Sequence, residues 1–271
     1  MSRIAIAAIL STLPGLALAG DLTMPVAESA PAYAAPRAST PDLVFTLRGG
    51  VASTPDYFGS DSYGVGPDFG FRLGYANLFG RELGNADASD PGYGLGLRGS
   101  FRYIDERSGD DNSELAGLDD VDETLELGLG LGYTSYRFNV FADARYGVVG
   151  HESFVGELGA DVITYPTDNL TVTLGPRMLI GSGDYADTYF GVTESEAARS
   201  NFAAYDPDGG VLSAGLELGA TYAINDRWGV EGAVTWDRFM GDAEDSPIVQ
   251  QGDRDQYGLR VGITRQITLD F

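Results

Sequence analysis

The chain has 271 residues and carries 40 acidic against 17 basic side chains, a formal net charge of −23. A surface of that sign repels nucleic acid, so no nucleic-acid partner is expected. Without a single cysteine there are no disulfides, no thiolate metal sites and no lipid-bearing cysteine; 38 Gly, 15 Tyr and 13 Phe instead describe strands, tight turns and aromatic ends.

In chain order, the first element is a leader. Arg3 supplies a short positive region, Ile4 to Leu13 an apolar run, and Ala17-Leu18-Ala19 a small-residue cleavage site, which predicts a signal peptide over residues 1–19. That run is too short for a spanning helix, and no other approaches the roughly 20 apolar residues one needs. A secreted chain of this kind is either soluble or crosses a membrane as a closed barrel. Residues 20–41, rich in Ala and Pro, predict a flexible or extended periplasmic arm.

From residue 42 onward apolar side chains alternate with others, the period of a strand. Ten such runs follow, over 43–51, 69–75, 95–103, 125–133, 136–146, 154–162, 170–180, 212–224, 228–236 and 257–271. An even count suits a single-chain bacterial barrel. Pro176 lies awkwardly inside the seventh run and suggests a bulge. Tyr189-Phe190-Gly191-Val192 is a short apolar segment inside the longest connection, which keeps a count of twelve open. Residues 194–199 read as a single helical turn.

The connections sort by length. Those at 134–135, 166–169 and 225–227 are short, and with a periplasmic amino terminus they are periplasmic turns. The long ones, 54–66, 105–122, 181–210 and 241–255, all fall on the outer side, beside a short outer loop at 147–153. Only the first periplasmic turn, 77–91, is longer than expected. The fold class predicted is therefore all-β, a transmembrane antiparallel up-and-down β-barrel over residues 42–271. Aromatics at strand ends agree with interfacial belts: Tyr133, Tyr136, Tyr222, Trp228 and Phe271 on the periplasmic side, Phe101, Tyr103, Tyr146, Trp236 and Tyr257 on the outer side. An edge strand of a soluble sheet is the bland alternative for the closing segment. Its apolar positions Ile267, Leu269 and terminal Phe271 resemble the ending that the barrel-assembly machinery reads, with Arg265 out of place on the apolar face.

If the apolar face meets lipid, the other face lines the lumen. It carries Arg48, Arg72, Arg98, Arg102, Arg145, Arg177 and Arg260 against Glu126, Asp143, Glu157, Asp161, Glu217, Glu231 and Asp237. In a barrel of about ten strands such groups pair across a largely filled interior, because unpaired buried charge is costly. Inward glycines at Gly128, Gly130, Gly132, Gly215 and Gly219 leave room for the alternative, a narrow path for ions or small solutes. The surplus acid crowds residues 105–123 without the spacing of a calcium loop, which reads as a solvated loop bridged to lipopolysaccharide by divalent cations. The sole histidine, His151, sits in a short loop beside Glu152 and Ser153, and no Gly-x-Ser-x-Gly elbow appears. No enzyme, cofactor or metal site is expected, and His151 reads as an ordinary loop residue.

Several loop motifs are recognisable. Thr54-Pro55-Asp56-Tyr57-Phe58-Gly59-Ser60-Asp61, Tyr189-Phe190-Gly191-Val192-Thr193 and Gly241-Asp242-Ala243-Glu244-Asp245-Ser246-Pro247-Ile248-Val249 resemble the outer loops of the MipA/OmpV family of outer-membrane proteins. The resemblance covers about residues 43–271 and is least between 76 and 121. It implies an outer-membrane location and a scaffold that brings a murein lytic transglycosylase together with a murein synthase. Other members of the family are linked to adhesion or to outer-membrane permeability.

Overall fold

The computed structural model describes residues 41–78, 81–84 and 93–270. The expected leader, nearly all of the expected arm, most of the first turn and Phe271 lie outside the described residues. Eleven strands form one antiparallel sheet: β1 (Leu43–Pro55), β2 (Tyr63–Leu78), β3 (Arg81–Gly84), β4 (Gly94–Ile104), β5 (Thr124–Thr134), β6 (Phe138–Val149), β7 (Phe154–Thr167), β8 (Leu170–Gly181), β9 (Gly210–Ala223), β10 (Trp228–Phe239) and β11 (Asp255–Leu269). Ten are long. The four-residue β3 folds back on β2, pairing Tyr75 with Gly84, so the expected long first turn begins as a hairpin.

Consecutive strands pair except β3 with β4, and β1 also pairs with β11, from Leu43 opposite Leu269 to Ser53 opposite Leu259. That pairing of first with last wraps the sheet into a barrel, because an open meander would leave both as edges. The remaining edges, β3 with the unpaired part of β2 on one side and β4 on the other, share no ladder among the described residues. They meet through side chains: a Cβ on Gly99 would lie 3.9 Å from the Phe71 ring. The barrel is nearly closed. Tyr189-Phe190 belongs to a helix and Val192 only to an isolated bridge with Tyr205, so no further strand pair raises the count to twelve.

The alternation of the sequence becomes the two faces of the wall. Leu95 is 76% exposed, Leu129 68% and Val65 77%, and Leu47, Val51, Leu131 and Ile263 lie on the same outer surface. Water would not tolerate so continuous an apolar collar; hydrocarbon does, because the closed ladder leaves it no bare backbone groups to solvate. Among the described residues no helix is long and apolar enough to cross a membrane. Aromatic pairs stand at the strand ends. Tyr133 stacks on Phe138 at 5.8 Å and Tyr136 on Tyr165 at 4.8 Å by the short turns, while Tyr146 meets Phe154 edge-on at 4.9 Å by the long loops. Arg265 does sit on this outer face, with its guanidinium 5.0 Å from the Trp228 ring. Pro176 marks a gap and not a bulge. The β7–β8 ladder steps from Gly159 opposite Arg177 to Val162 opposite Leu174, skipping the residue that has no amide to donate.

Candidate functional site

The inward face holds a polar core. Arg48 grips Asp68 with two nitrogens, at 2.7 and 3.0 Å, and reaches Glu231 at 2.7 Å, where Arg72 joins at 3.4 Å. Across the lumen, Arg145 lies between Glu126 at 2.7 Å and Glu157 at 2.8 Å, with Glu126 wholly buried, and Arg98 pairs with Asp143 at 3.0 Å. Arg177 bridges Asp161 at 2.8 Å and Glu217 at 3.1 Å, and Arg260 completes that group at 3.0 Å. Charge-assisted and partly bidentate contacts of this kind recover much of what burial of the ions costs. Arg98 and Arg177 also face the Phe141 ring, at 3.8 and 5.3 Å. Phe141 was legible by parity alone, since it shares the inward face of β6 with Asp143 and Arg145.

One inward glycine is filled from beside it. A Cβ on Gly130 would fall 1.9 Å from Asp143 Oδ1, so the missing side chain is what lets Asp143 lie flat against the wall toward Arg98. Of the fourteen charged side chains expected in the lumen, only Arg102 and Asp237 make no ion pair with another described residue.

His151 departs from its expected role as an ordinary loop residue. Gly150 and Glu152 take left-handed backbone angles, φ 87° and 47°, and turn the loop inward. The imidazole is completely buried, with Nε2 3.3 Å from Glu126 Oε1. Nδ1 accepts the Ser153 amide at 3.1 Å and lies 2.7 Å from its hydroxyl. An amide can only donate, so the ring proton belongs on Nε2, facing the carboxylate. Tyr185 and Tyr189 meet the ring edge-on at 4.9 and 5.7 Å. Spacing along the chain hid this, because the partners come from β5 and from a loop some thirty residues on.

Above the polar core the long loops build an apolar one. The loop after β8 forms α1 (Gly183–Phe190) and α2 (Glu194–Ala197); the loop after β10 forms α3 (Asp242–Asp245) and α4 (Pro247–Gln251). Ser182 caps α1 by accepting from the Tyr185 amide, and Thr193 with Glu196 makes a reciprocal capping box on α2. Tyr185, Ala186, Tyr189 and Phe190 turn down onto Val155, Leu212 and Phe239 at the rim and onto Ala243 and Val249 of the neighbouring loop. A second cluster joins Tyr57, Leu115, Leu118, Val192, Phe202 and Ile248. The acidic loop is therefore not wholly solvated: its carboxylates stay largely outside, and Leu115 and Leu118 are buried.

Polar staples fix the loops to one another. Glu196 accepts the Asp119 amide at 2.8 Å, Arg107 donates to the Tyr189 carbonyl at 3.0 Å, Ser246 to the Phe190 carbonyl at 2.7 Å, and the Tyr57 hydroxyl to Glu114 at 3.2 Å. Burial opposes ionisation of Glu196, but these amide and hydroxyl donors outweigh it and hold the carboxyl below its ordinary value. Burial, reinforced by the Glu114 carboxylate, pushes the Tyr57 hydroxyl up to about 12. Burial likewise pushes Tyr189 up to about 12, against its bond to Thr124. The loop motifs meet here. Gly59, at φ 95°, donates to Gln256 at 3.2 Å, and the Ser60 carbonyl accepts from Gln256 at 3.1 Å. Pro55 ends β1, Asp56 follows it, Gly191 caps α1, Asp245 ends α3, and Ser246-Pro247 opens α4. Ile267 and Leu269 lie in β11 against Phe45 and Leu43.

Between cap and girdle lies a cavity of about 340 Å³, whose wall includes Phe58, Arg102, Tyr189, Asp237 and Phe239. A wall apolar outside and ion-paired inside, with short turns at one end and packed loops at the other, defines a transmembrane β-barrel of the bacterial outer membrane. The chain belongs to the family described as MltA-interacting protein MipA, whose model matches residues 47–267. It is 31% identical over 153 residues to the MltA-interacting protein of Escherichia coli (strain K12), covering 56% of this chain and 60% of that one. It is 29% identical over 163 residues to the outer membrane protein Omp26La of Vibrio anguillarum, covering 56% and 58%. These matches thus span about three fifths of the relatives' own length. Among solved structures it is similar to an outer membrane channel from Pseudomonas putida F1 (14% identity, 85% of this chain and 97% of that one, TM-score 0.43). It is also similar to OprG from Pseudomonas aeruginosa (16% identity, 84% and 98%, TM-score 0.31). At such TM-scores these likenesses carry no argument about function. The protein is an outer-membrane barrel of the MipA family.

Proposed function

We propose that the barrel is a non-catalytic scaffold that holds murein-processing enzymes, a lytic transglycosylase and a murein synthase, at the inner surface of the outer membrane. The observation that carries this reading is membership of a family described as MltA-interacting protein, with similarity to a relative of that name. The interior supports it from the other direction. Ion pairs cross the lumen and a packed cap covers its outer mouth, an arrangement suited to a rigid anchor and ill suited to a pore. Ser153 and His151 are buried together at the base of the cap, which leaves the hydroxyl no substrate to attack.

The test is retrieval of periplasmic proteins on the purified barrel, with and without residues 20–41. A murein lytic transglycosylase is expected on the intact chain. Retrieval of no murein enzyme by either form removes the scaffold. A narrow pore is the runner-up, and planar-bilayer recording separates the two: the scaffold predicts little or no steady current from the wild-type barrel, with Arg98→Ala raising it. A stable wild-type conductance reverses the ranking.

A further inference from the structure

The wall that pairs nearly all of its inward charges leaves two unmatched in one place. Arg102, on β4, has its guanidinium 5.3 Å from the Phe58 ring and, among the described residues, no carboxylate within ion-pairing distance. Asp237, on β10, makes neither an ion pair nor a side-chain hydrogen bond among the described residues. Both stand in the wall of the same cavity of about 340 Å³ beneath the cap. That volume is at the small end of the range for ligand pockets. A charge facing a low-dielectric wall without a partner is costly, and the other twelve of the fourteen inward charges each have an ion pair. Arg102 and Asp237 feel one another across one cavity without forming a direct ion pair, which leaves room for an occupant that brings both complements.

We propose that this cavity binds a small zwitterion of amino-acid type, its carboxylate on Arg102 and its ammonium on Asp237. The apolar part of the ligand packs against Phe58, Tyr189 and Phe239, which supply the aromatic side of the same wall. The rest of the lining selects against simpler ligands. Five carboxylates (Asp56, Asp105, Glu157, Glu217 and Asp237) face three arginines (Arg102, Arg107 and Arg177), so an anion without an ammonium group is repelled. A cation without a carboxylate leaves Arg102 unmatched. Arg177 does not compete for the ligand, being held by Asp161 and Glu217; Arg107 gives one nitrogen to the Tyr189 carbonyl, and its buried Nε has no partner among the described residues. Exposed Asp105 belongs to the same lining, so the cavity reaches the outer surface.

The experiment is calorimetric titration of the full-length barrel, refolded in detergent, with three probes: L-phenylalanine, 3-phenylpropionate and phenethylamine. The last two each keep one charge of the first. L-phenylalanine is expected to bind, and each half-ligand to bind roughly ten-fold more weakly or worse, the loss of one charge-assisted contact. Arg102→Met should erase the advantage of L-phenylalanine over phenethylamine, and Asp237→Asn its advantage over 3-phenylpropionate. Gel mobility with and without heating verifies that each variant forms the barrel. If a variant fails that check, the three-probe comparison on the wild type decides alone. No binding of L-phenylalanine at millimolar concentration, or equal binding of either half-ligand, overturns the proposal.

Discussion

The girdle and the cap are cores of opposite polarity in one chain. In the girdle, Arg145, Glu126 and Arg177 are inside, and Leu95, Leu129 and Ile263 are outside. In the cap, Tyr185, Phe190 and Ile248 are inside, and most carboxylates of the loops are outside. The difference follows from the solvent on the far side of each wall. Hydrocarbon makes apolar side chains cheap outside and charges affordable only where they can pair; water above the membrane restores the usual order. Specificity in the girdle comes from matched ions at fixed register, while in the cap it comes from shape, with backbone carbonyls tied off by Arg107 and Ser246.

That contrast can be broken most severely in the girdle. Arg145→Leu strands Glu126 and Glu157 together without their cation, and unpairing a buried ion costs about 3–5 kcal/mol. The urea midpoint for unfolding in detergent should fall accordingly. An unchanged midpoint would show that water already solvates both carboxylates. In the cap, Phe190→Ala empties the centre of the larger cluster and should cost roughly 3 kcal/mol locally. Proteolysis of residues 105–122 and 181–210 should accelerate while the heat-shifted gel mobility of the barrel persists. Loss of both together would mean that the two cores fold as one.

Alkali should separate the regions next. Tyr57 and Tyr189 titrate near 12 in the folded cap against an ordinary 10, so the fold favours their protonated forms. Their contribution is complete below pH 10 and is lost as pH rises toward about 12. Cleavage of the cap should increase several-fold across that window, and Tyr57→Phe should blunt the rise. A flat profile would place both hydroxyls in water. The smallest effect is expected at the exposed Arg199–Asp119 pair, where Arg199→Ala should change cap stability by about 0.5 kcal/mol or less. A larger loss would mean that the cap leans on its surface charges as the girdle leans on its buried ones.

The girdle was legible because its strands repeat every second residue, so parity alone sorted Arg48, Glu126 and Arg260 from Leu47, Leu127 and Leu259. The ten-run count and the sorting of short from long connections followed from the same pattern. The cap was not legible. Tyr57, Leu115, Phe190 and Ile248 belong to four connections with no period, and nothing local marks which of them meet. His151 shows the limit at a single residue, since its neighbours in sequence suggested an idle loop and a left-handed turn buried it against Glu126.

What the sequence determined by itself is the wall: period two, turn lengths and the balance of inward charge are local quantities, and local sterics translate them directly into strands and faces. Which charge pairs with which, that four loops meet in a shared apolar cluster, and that Arg102 and Asp237 lack a direct ion pair among the described residues were decided only by the closed tertiary structure. Those contacts join residues far apart in sequence, and their energies depend on distances that exist only once β1 has met β11 and the barrel surrounds its own interior.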